Sequence, residues 1–310
     1  EVLRGPQGTL FGRNATGGMI SIISKKPSFD FGGNVEATYG NYDNLRLAGS
    51  ITGPLSQTLA ARLDGVYVRR DGFIHDATND VDVNNRNRYF LRGQLLWEPT
   101  DALSVRLIGD YTHRRERCCG AIYVSAATNE YVGNLNNVAT PLTSATGNSI
   151  VNVLRDLGEP LSAFNQGYDR TIYASPGRTY AGTTNDWGVS AEINYDLGGA
   201  KLTSITGYRD YRSGQAGDVD YSRVDILYRA DSDDAYRQFR TFTQELRLQG
   251  EAFGGKLDWL IGGYFANENL TLRDNLRFGS QYGRFATCRL VSGGGLSALY
   301  SPTSAGCLAA

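Results

Sequence analysis

From residue 33 onward the chain repeats one pattern, in which about ten residues of alternating apolar and polar side chains are followed by a turn. Alternation of period two sends successive side chains to opposite faces of a β-strand. NVEATYG runs into NYDN, LRLAGSITG into PLSQT, TLAARLDGVYVRR into a loop of about seventeen residues, and RYFLRGQLLW into EPTDA. LSVRLIGDYTHRR then opens a stretch of about seventy residues that ends at NDWGVSAEINY. DLGGA, a medium Asp-rich loop and EAFGG separate the remaining strands KLTSITGYRDYR, FRTFTQELRLQG and LDWLIGGYFANE. The rhythm predicts about nine antiparallel strands with no helix between them, joined by strictly alternating short and long connections.

The faces can be read residue by residue. Leu59, Ala61, Leu63, Gly65 and Tyr67 oppose Arg62 and Asp64, and Leu103, Val105, Leu107, Gly109 and Tyr111 oppose Ser104, Arg106, Asp110 and Thr112. Trp187, Val189, Ala191, Ile193 and Tyr195 make another apolar face, as do Leu257, Trp259, Ile261, Gly263 and Phe265. KLTSITGYRDYR is ambiguous: either Leu202 or Ile205 defines its apolar side.

A soluble sandwich also has one apolar and one polar face. Three features select a membrane barrel. Strands of nine to twelve residues match the length that crosses a bilayer at a tilt. Aromatics recur at strand ends (Tyr67, Trp97, Tyr111, Trp187, Tyr195, Tyr208, Trp259, Phe265), where interfacial girdles lie, and connection lengths differ between the two rims. An arginine on the lipid face at mid-bilayer costs about 2 to 4 kcal/mol. Arg46, Arg62, Arg92, Arg106 and Arg247 all fall on the polar face, so they are expected to point into the lumen.

Composition agrees. Of 310 residues 38 are Gly, 19 Tyr, 12 Phe and one Met, a balance that favours strands and turns over helix. No window of 18 or more apolar residues exists to form a transmembrane helix, which leaves a barrel open. The net charge of -1 argues against nucleic acid as a partner. Two His and four Cys without a C-x-x-C pair support neither a metal centre nor a redox motif. Cys288 and Cys307 flank a Gly/Ser-rich loop and are a candidate disulfide in an oxidising compartment, whereas adjacent Cys118 and Cys119 are expected to find distant partners.

The opening stretch EVLRGPQGTLFGRNATGGMISIISKKP is dense in glycine. Gly12 and Gly17 have the spacing of a phosphate loop, but Gly18 and Met19 follow where Lys and Ser/Thr are required. Asn14-Ala15-Thr16 is a three-residue glycosylation pattern of little weight. Gly5, Gly8, Gly12, Gly17 and Gly18 suit a compact, turn-dense element, with Met19, Ile20, Ile22 and Ile23 as a short buried strand. Glu1 and the loop-like SPTSAGCLAA at the other end read as the ends of a fragment.

LRGPQGTLFGRNATGGMISIISKKP followed by GGNVEATYGNYDNLRLAGSITGPL resembles the TonB-dependent outer-membrane receptors, at the junction of their plug domain and first barrel hairpin. The resemblance implies an all-β fold, with residues 1–27 the C-terminal end of a plug and 28–310 the N-terminal part of a transmembrane barrel of about 22 strands. It implies a plug motif of Arg4, Gly5, Pro6, Gly8, Gly12, Arg13, Gly17 and Gly18, and Arg4 paired with an acidic lumen residue such as Glu245. It implies outer-membrane lipid, a small-molecule ligand from outside and the inner-membrane TonB energy-coupling complex as partners, with no cofactor and no catalysis. An iron–siderophore complex leads as ligand, ahead of cobalamin, haem and oligosaccharide; a passive porin-like or adhesin barrel is the alternative.

Ligand contacts are expected in the long loops, where Tyr123, Tyr131, Phe164, Tyr168, Tyr173 and Tyr180 are able to stack on a ligand or to fill the loop's own core. Asp218, Asp220, Asp225, Asp231, Asp233 and Asp234 make the next loop acidic without a calcium-loop spacing, which reads as a solvated charged loop. His75 and His113 sit at strand–loop borders without a catalytic context.

Overall fold

A computed structural model describes residues 2–5, 17–20, 22–122, 150–164 and 169–293. In chain order, β1 (Val2–Arg4) and β2 (Gly18–Ile20) precede β3 (Gly32–Gly40), β4 (Asn44–Pro54) and β5 (Leu59–Arg70). The short β6 (Ile74–Asp76) and β7 (Val81–Val83) lead to β8 (Arg86–Thr100) and β9 (Leu103–Arg117). Helix α1 (Ile150–Asp156) and β10 (Thr171–Ile172) come before β11 (Ala181–Asp196) and β12 (Ala200–Gln215). After β13 (Gly217–Asp218) and β14 (Leu227–Arg229) come β15 (Tyr236–Ala252), β16 (Leu257–Arg273), β17 (Leu276–Phe278) and helix α2 (Tyr282–Gly293).

Nine long strands form one antiparallel sheet in the order β16-β15-β12-β11-β9-β8-β5-β4-β3, each beside its chain neighbour. The sheet is open, with β3 and β16 at its edges. Among the described residues no helix is long and apolar enough to cross a membrane.

The ladder fixes the faces, because residues directly opposite one another share a side. Leu63, Gly93, Gly109, Val189, Tyr208 and Phe242 lie in one row across β5 to β15, and Leu107, Ala191 and Thr206 lie in the next. Tyr195 opposes Leu202, and Glu192 opposes Ile205, so Leu202 belongs to the apolar face and Ile205 turns inward. The apolar face is open: Leu107 is 47% exposed and Ile261 70%. Its aromatics form two rows. Tyr89 and Trp97 are eight residues apart on β8, as are Trp187 and Tyr195 on β11. Eight steps of about 3.3 Å, tilted by roughly 40°, give about 20 Å between rows, close to the height of an outer-membrane apolar band.

Four expectations change. The long strands β8, β9, β11, β12, β15 and β16 are 15 to 17 residues long, not nine to twelve. At a similar tilt 17 residues rise about 40 Å, well past a band of about 25 Å, so the aromatic rows mark the band and the polar strand ends run beyond it. The connections do not alternate strictly, because the hairpin at residues 41–43 is a tight turn on the same rim as the long loops. There Tyr42 and Asp43 take positive φ, and the Tyr39 hydroxyl donates to Asp43 Oδ1 at 2.5 Å. Helices do occur between and after the strands: α1, a 3₁₀ turn at Leu161–Phe164, and α2. The apolar spacing of Val153, Leu154 and Leu157 supplies the face on which α1 packs. Finally, Ile20, Ile22 and Ile23 are 72%, 90% and 77% exposed rather than buried, since β2 pairs only with β1 and no other described element covers it. Gly18, at φ +134°, lies where an added Cβ would stand 2.6 Å from Leu3 O, so that two-stranded pairing requires glycine.

Candidate functional site: an inner wall beneath a loop cap

The inward face of the sheet carries the charge. Low on the wall Arg62 binds Asp64 (2.7 Å), and Arg106 donates to Gln94 Oε1 (2.6 Å) and approaches Glu192 (4.0 Å). Higher up, Arg209 bridges Asp110 (2.8 Å) and Asp186 (2.6 Å), and Arg88 holds Glu116 (2.7 Å) near the rim. The arginines placed on the polar face by sequence pattern therefore do point inward.

The wall clasps the segment leading out of the glycine-rich stretch. Arg92 Nη1 donates to Ser24 Oγ (2.7 Å), Arg106 Nη2 to Ser24 O (3.3 Å) and Gln94 Nε2 to Lys25 O (3.2 Å). The Ser28 backbone N–H adds a bond to Thr52 Oγ1 (2.8 Å). At this segment wall side chains donate to carbonyl and hydroxyl oxygens of the incoming chain. Glu245 faces the lumen with Oε1 2.8 Å from Arg247 Nε. Gly5, Gly17 and Gly18 are described, with Arg4 opposite Gly18 in the β1–β2 pair, whereas Pro6, Gly8, Gly12 and Arg13 lie outside the described residues.

Above the long strands, three loop segments are stapled together by buried aspartates. Asp76, fully buried, accepts from Thr78 N (3.0 Å) and Ala174 N (3.2 Å) on one oxygen, and from Asn79 Nδ2 (2.7 Å) and the Tyr180 hydroxyl (3.1 Å) on the other. One residue beyond Ala174, the Ser175 N–H donates to Asp218 Oδ2 (2.8 Å), whose other oxygen accepts from Asp220 N and Tyr221 N. Asp225 takes Arg178 (2.5 Å) and the Ser280 N–H (2.8 Å), fastening the start of α2. Two small apolar cores fill the cap: Ile74, Val83, Ile172, Ala174 and Tyr180 in one; Val153, Leu154, Leu157, Val224, Ile226 and Cys288 in the other. The acidic loop thus divides. Asp218, Asp220 and Asp225 are structural acceptors, because backbone N–H groups of the tight turns need them, while Asp231, Asp233 and Asp234 are exposed. Among the described residues no group of three His, Cys, Asp or Glu is placed to hold a metal.

Burial raises the Glu159 carboxyl to about 7, with Asp220 and Asp218 adding to the push and the Arg223 N–H opposing it. Asp218 and Asp220 are also raised, chiefly by burial, and Asp218 further by Asp220. A carboxyl whose folded pKa lies above its unfolded value binds its proton more tightly when folded. The contribution of these carboxyls to cap stability is therefore fully present at about pH 4, is lost as the pH climbs to about 7, and changes little above it. Hydrogen exchange of Val224 and Ile226, corrected for intrinsic rates, is expected to be faster at pH 8 than at pH 5; equal or slower exchange at pH 8 contradicts the assignment.

Between cap and wall lies a cavity of about 360 Å³. Ser213, Gln215, Arg237 and Leu272 line it from inward strand positions, and Tyr180, Asp218, Tyr221 and Arg229 from the cap. Arg229 is itself held by Asp274 (2.8 Å). Of the loop aromatics, Tyr180 reaches this vestibule, Phe164 packs on the α1 core and Tyr173 accepts from Ser162 Oγ (2.9 Å); Tyr123, Tyr131 and Tyr168 lie outside the described residues. Sequence reading missed Tyr221, Arg229 and Arg237, whose only signal was their place at strand ends and in the acidic loop. Cys118 and Cys119 also line the vestibule and, against expectation, are bonded to each other, a cis peptide bringing their Cα atoms to 3.0 Å. Cys288 is disulfide-bonded and buried, and Cys307 lies outside the described residues.

No family model matches the chain. The ferrioxamine B receptor of Salmonella typhimurium is 36% identical over 116 residues, which is 37% of this chain and 15% of that receptor. The ferripyoverdine receptor of Pseudomonas aeruginosa is 27% identical over 209 residues, 67% of this chain and 23% of the receptor. The chain is similar to outer-membrane siderophore receptors over part of its length. Solved receptors share its fold: the ferric yersiniabactin uptake receptor FyuA of Yersinia pestis superposes with a TM-score of 0.66 at 16% identity, covering 89% of this chain and 37% of FyuA. The siderophore receptor PiuA of Acinetobacter baumannii gives 0.61 at 13%, covering 91% and 37%. The chain thus spans less than a quarter of the curated receptors it matches, at 15% and 23% of their lengths.

Proposed function

We propose that this chain is part of an outer-membrane receptor that captures an iron–siderophore complex from outside and passes it inward by energy-coupled uptake. Its similarity to siderophore receptors supports the ligand class, and the vestibule on the lumen side of the loop cap carries the reading. Arg229, Arg237 and Tyr221 offer guanidinium and phenol groups to an oxygen-rich, negatively charged chelate. Below it, the wall arginines secure the end of a plug, residues 1–27, at the start of the barrel portion, residues 28–310. A passive pore has no use for that clasp. The energy source is the inner-membrane TonB complex, to which no residue here is assigned.

Iron-starved cells lacking the gene, complemented with the full-length receptor, are expected to regain growth on at least one of a panel of hydroxamate, catecholate and mixed ferric siderophores. Arg237→Glu should lower uptake at limiting ligand by about tenfold or more, the worth of one charge-assisted hydrogen bond, at unchanged surface level. No rescue by any member of the panel, or wild-type uptake by the variant, would overturn the proposal.

A further inference from the structure

The outward face of β5, β8, β9 and β11 changes character beyond its upper aromatic row. Along β9 the sequence Thr112-His113-Arg114-Arg115-Glu116-Arg117 continues the alternation, so Arg114 and Glu116 turn inward while Arg115 and Arg117 turn out. Glu116 is consumed on the inner side, by Arg88 at 2.7 Å and Arg114 at 3.6 Å. The outward neighbours are neutral: Thr183 stands opposite Arg115, Ala181 opposite Arg117 and Asn185 opposite His113. Asn87 on β8 stands opposite Arg69, which is also outward and only loosely met by Asp71 at 3.7 Å. Every acidic side chain in the upper halves of these strands (Glu116, Asp110 and Asp186) faces the lumen. Arg115 and Arg117 are exposed and have no carboxylate within ion-pair distance among the described residues.

This leaves a patch of like charge on the membrane-facing side. Arg115 is four residues beyond Tyr111, which places it about 10 Å above the aromatic row at the strand tilt, within a long side chain's reach of the headgroup layer. Two guanidinium groups on alternate residues of one face repel each other unless an anion lies between them, and a phosphate accepts from both. We propose that Arg115 and Arg117, with Arg69 alongside, form a docking surface for the phosphate-bearing headgroups of outer-leaflet lipid. The patch lies on the opposite side of the wall from the vestibule, so it serves to hold the barrel at a fixed depth and not to bind the transported ligand.

The test uses the full-length receptor in detergent micelles doped with phosphatidylglycerol or phosphatidylcholine, with bound lipid counted by native mass spectrometry. Wild type is expected to retain phosphatidylglycerol selectively. Arg115→Gln with Arg117→Gln should bind it about thirtyfold more weakly, from the usual worth of two cations at an anionic surface, while the inward Arg114→Gln leaves binding unchanged. Equal retention by wild type and the double variant, or equal binding of phosphatidylcholine, would overturn the proposal. So would competition by inorganic phosphate at the concentration at which phosphatidylglycerol binds, because the site would then be a free-anion site.

Discussion

Asp76→Ala is expected to free the loop cap while leaving the long strand ladder intact. The carboxylate accepts four bonds at a fully buried position, and its removal strands Thr78 N, Ala174 N and the Tyr180 hydroxyl and leaves Asn79 Nδ2 its 3.3 Å bond to Ser175 O. Each buried donor left without an acceptor costs about 1 to 3 kcal/mol, so even partial rescue by water leaves a loss larger than local loop stability supports. Hydrogen exchange should show protection vanishing at Val81–Val83 and Thr171–Ile172 but persisting in the long strands β8, β9, β11, β12, β15 and β16. Asp80→Asn is the control, since Asp80 has a 99% exposed side chain. Retained protection at Thr171–Ile172 in the Asp76 variant would refute the stapling role.

A second large effect separates the two faces of one strand. Leu107→Arg sets a cation on the apolar side between the aromatic rows, where it should destabilise the folded full-length receptor by about 2 to 4 kcal/mol in lipid vesicles. Ile108→Arg, one residue on and facing the polar wall opposite Gln94 and Ser190, should cost far less. Denaturant titration of the vesicle-inserted proteins measures both. The same penalty for each, or a larger one for Ile108, would mean that the faces have been assigned backwards.

The strands were legible in the sequence because lipid and a wet lumen impose opposite demands on alternate residues. That is why Arg62, Arg106 and Arg247 were placed inward from pattern alone. Strand length was not legible, since above the apolar band neither face has to be apolar; Glu116 and Arg117 read as loop although they continue the ladder. KLTSITGYRDYR stayed ambiguous because Ser204 and Thr206, polar residues on the outward face, break its stripe. The structure shows them sharing Gln244, whose Oε1 accepts from Thr206 (2.6 Å) and whose Nε2 donates to Ser204 (3.0 Å). The loop cap was hidden for a different reason. Asp76, Ser175 and Asp218 meet across about a hundred residues of chain, and a buried acceptor looks the same in sequence as a solvated one. The short helix α1 did carry a signal, in Val153, Leu154 and Leu157, that strand rhythm on either side obscured.

Ser24 and Lys25 are fastened to β8 and β9 through three wall side chains, and Ser28 to β4 through one, immediately before β3 begins. Any rearrangement of the glycine-rich part that reaches this point meets a fixed mooring. On the proposed reading of residues 1–27 as the end of a plug, rotation or unravelling upstream would be absorbed ahead of Ser24, where Ile22 and Ile23 are exposed among the described residues, and the barrel wall would be spared the pull.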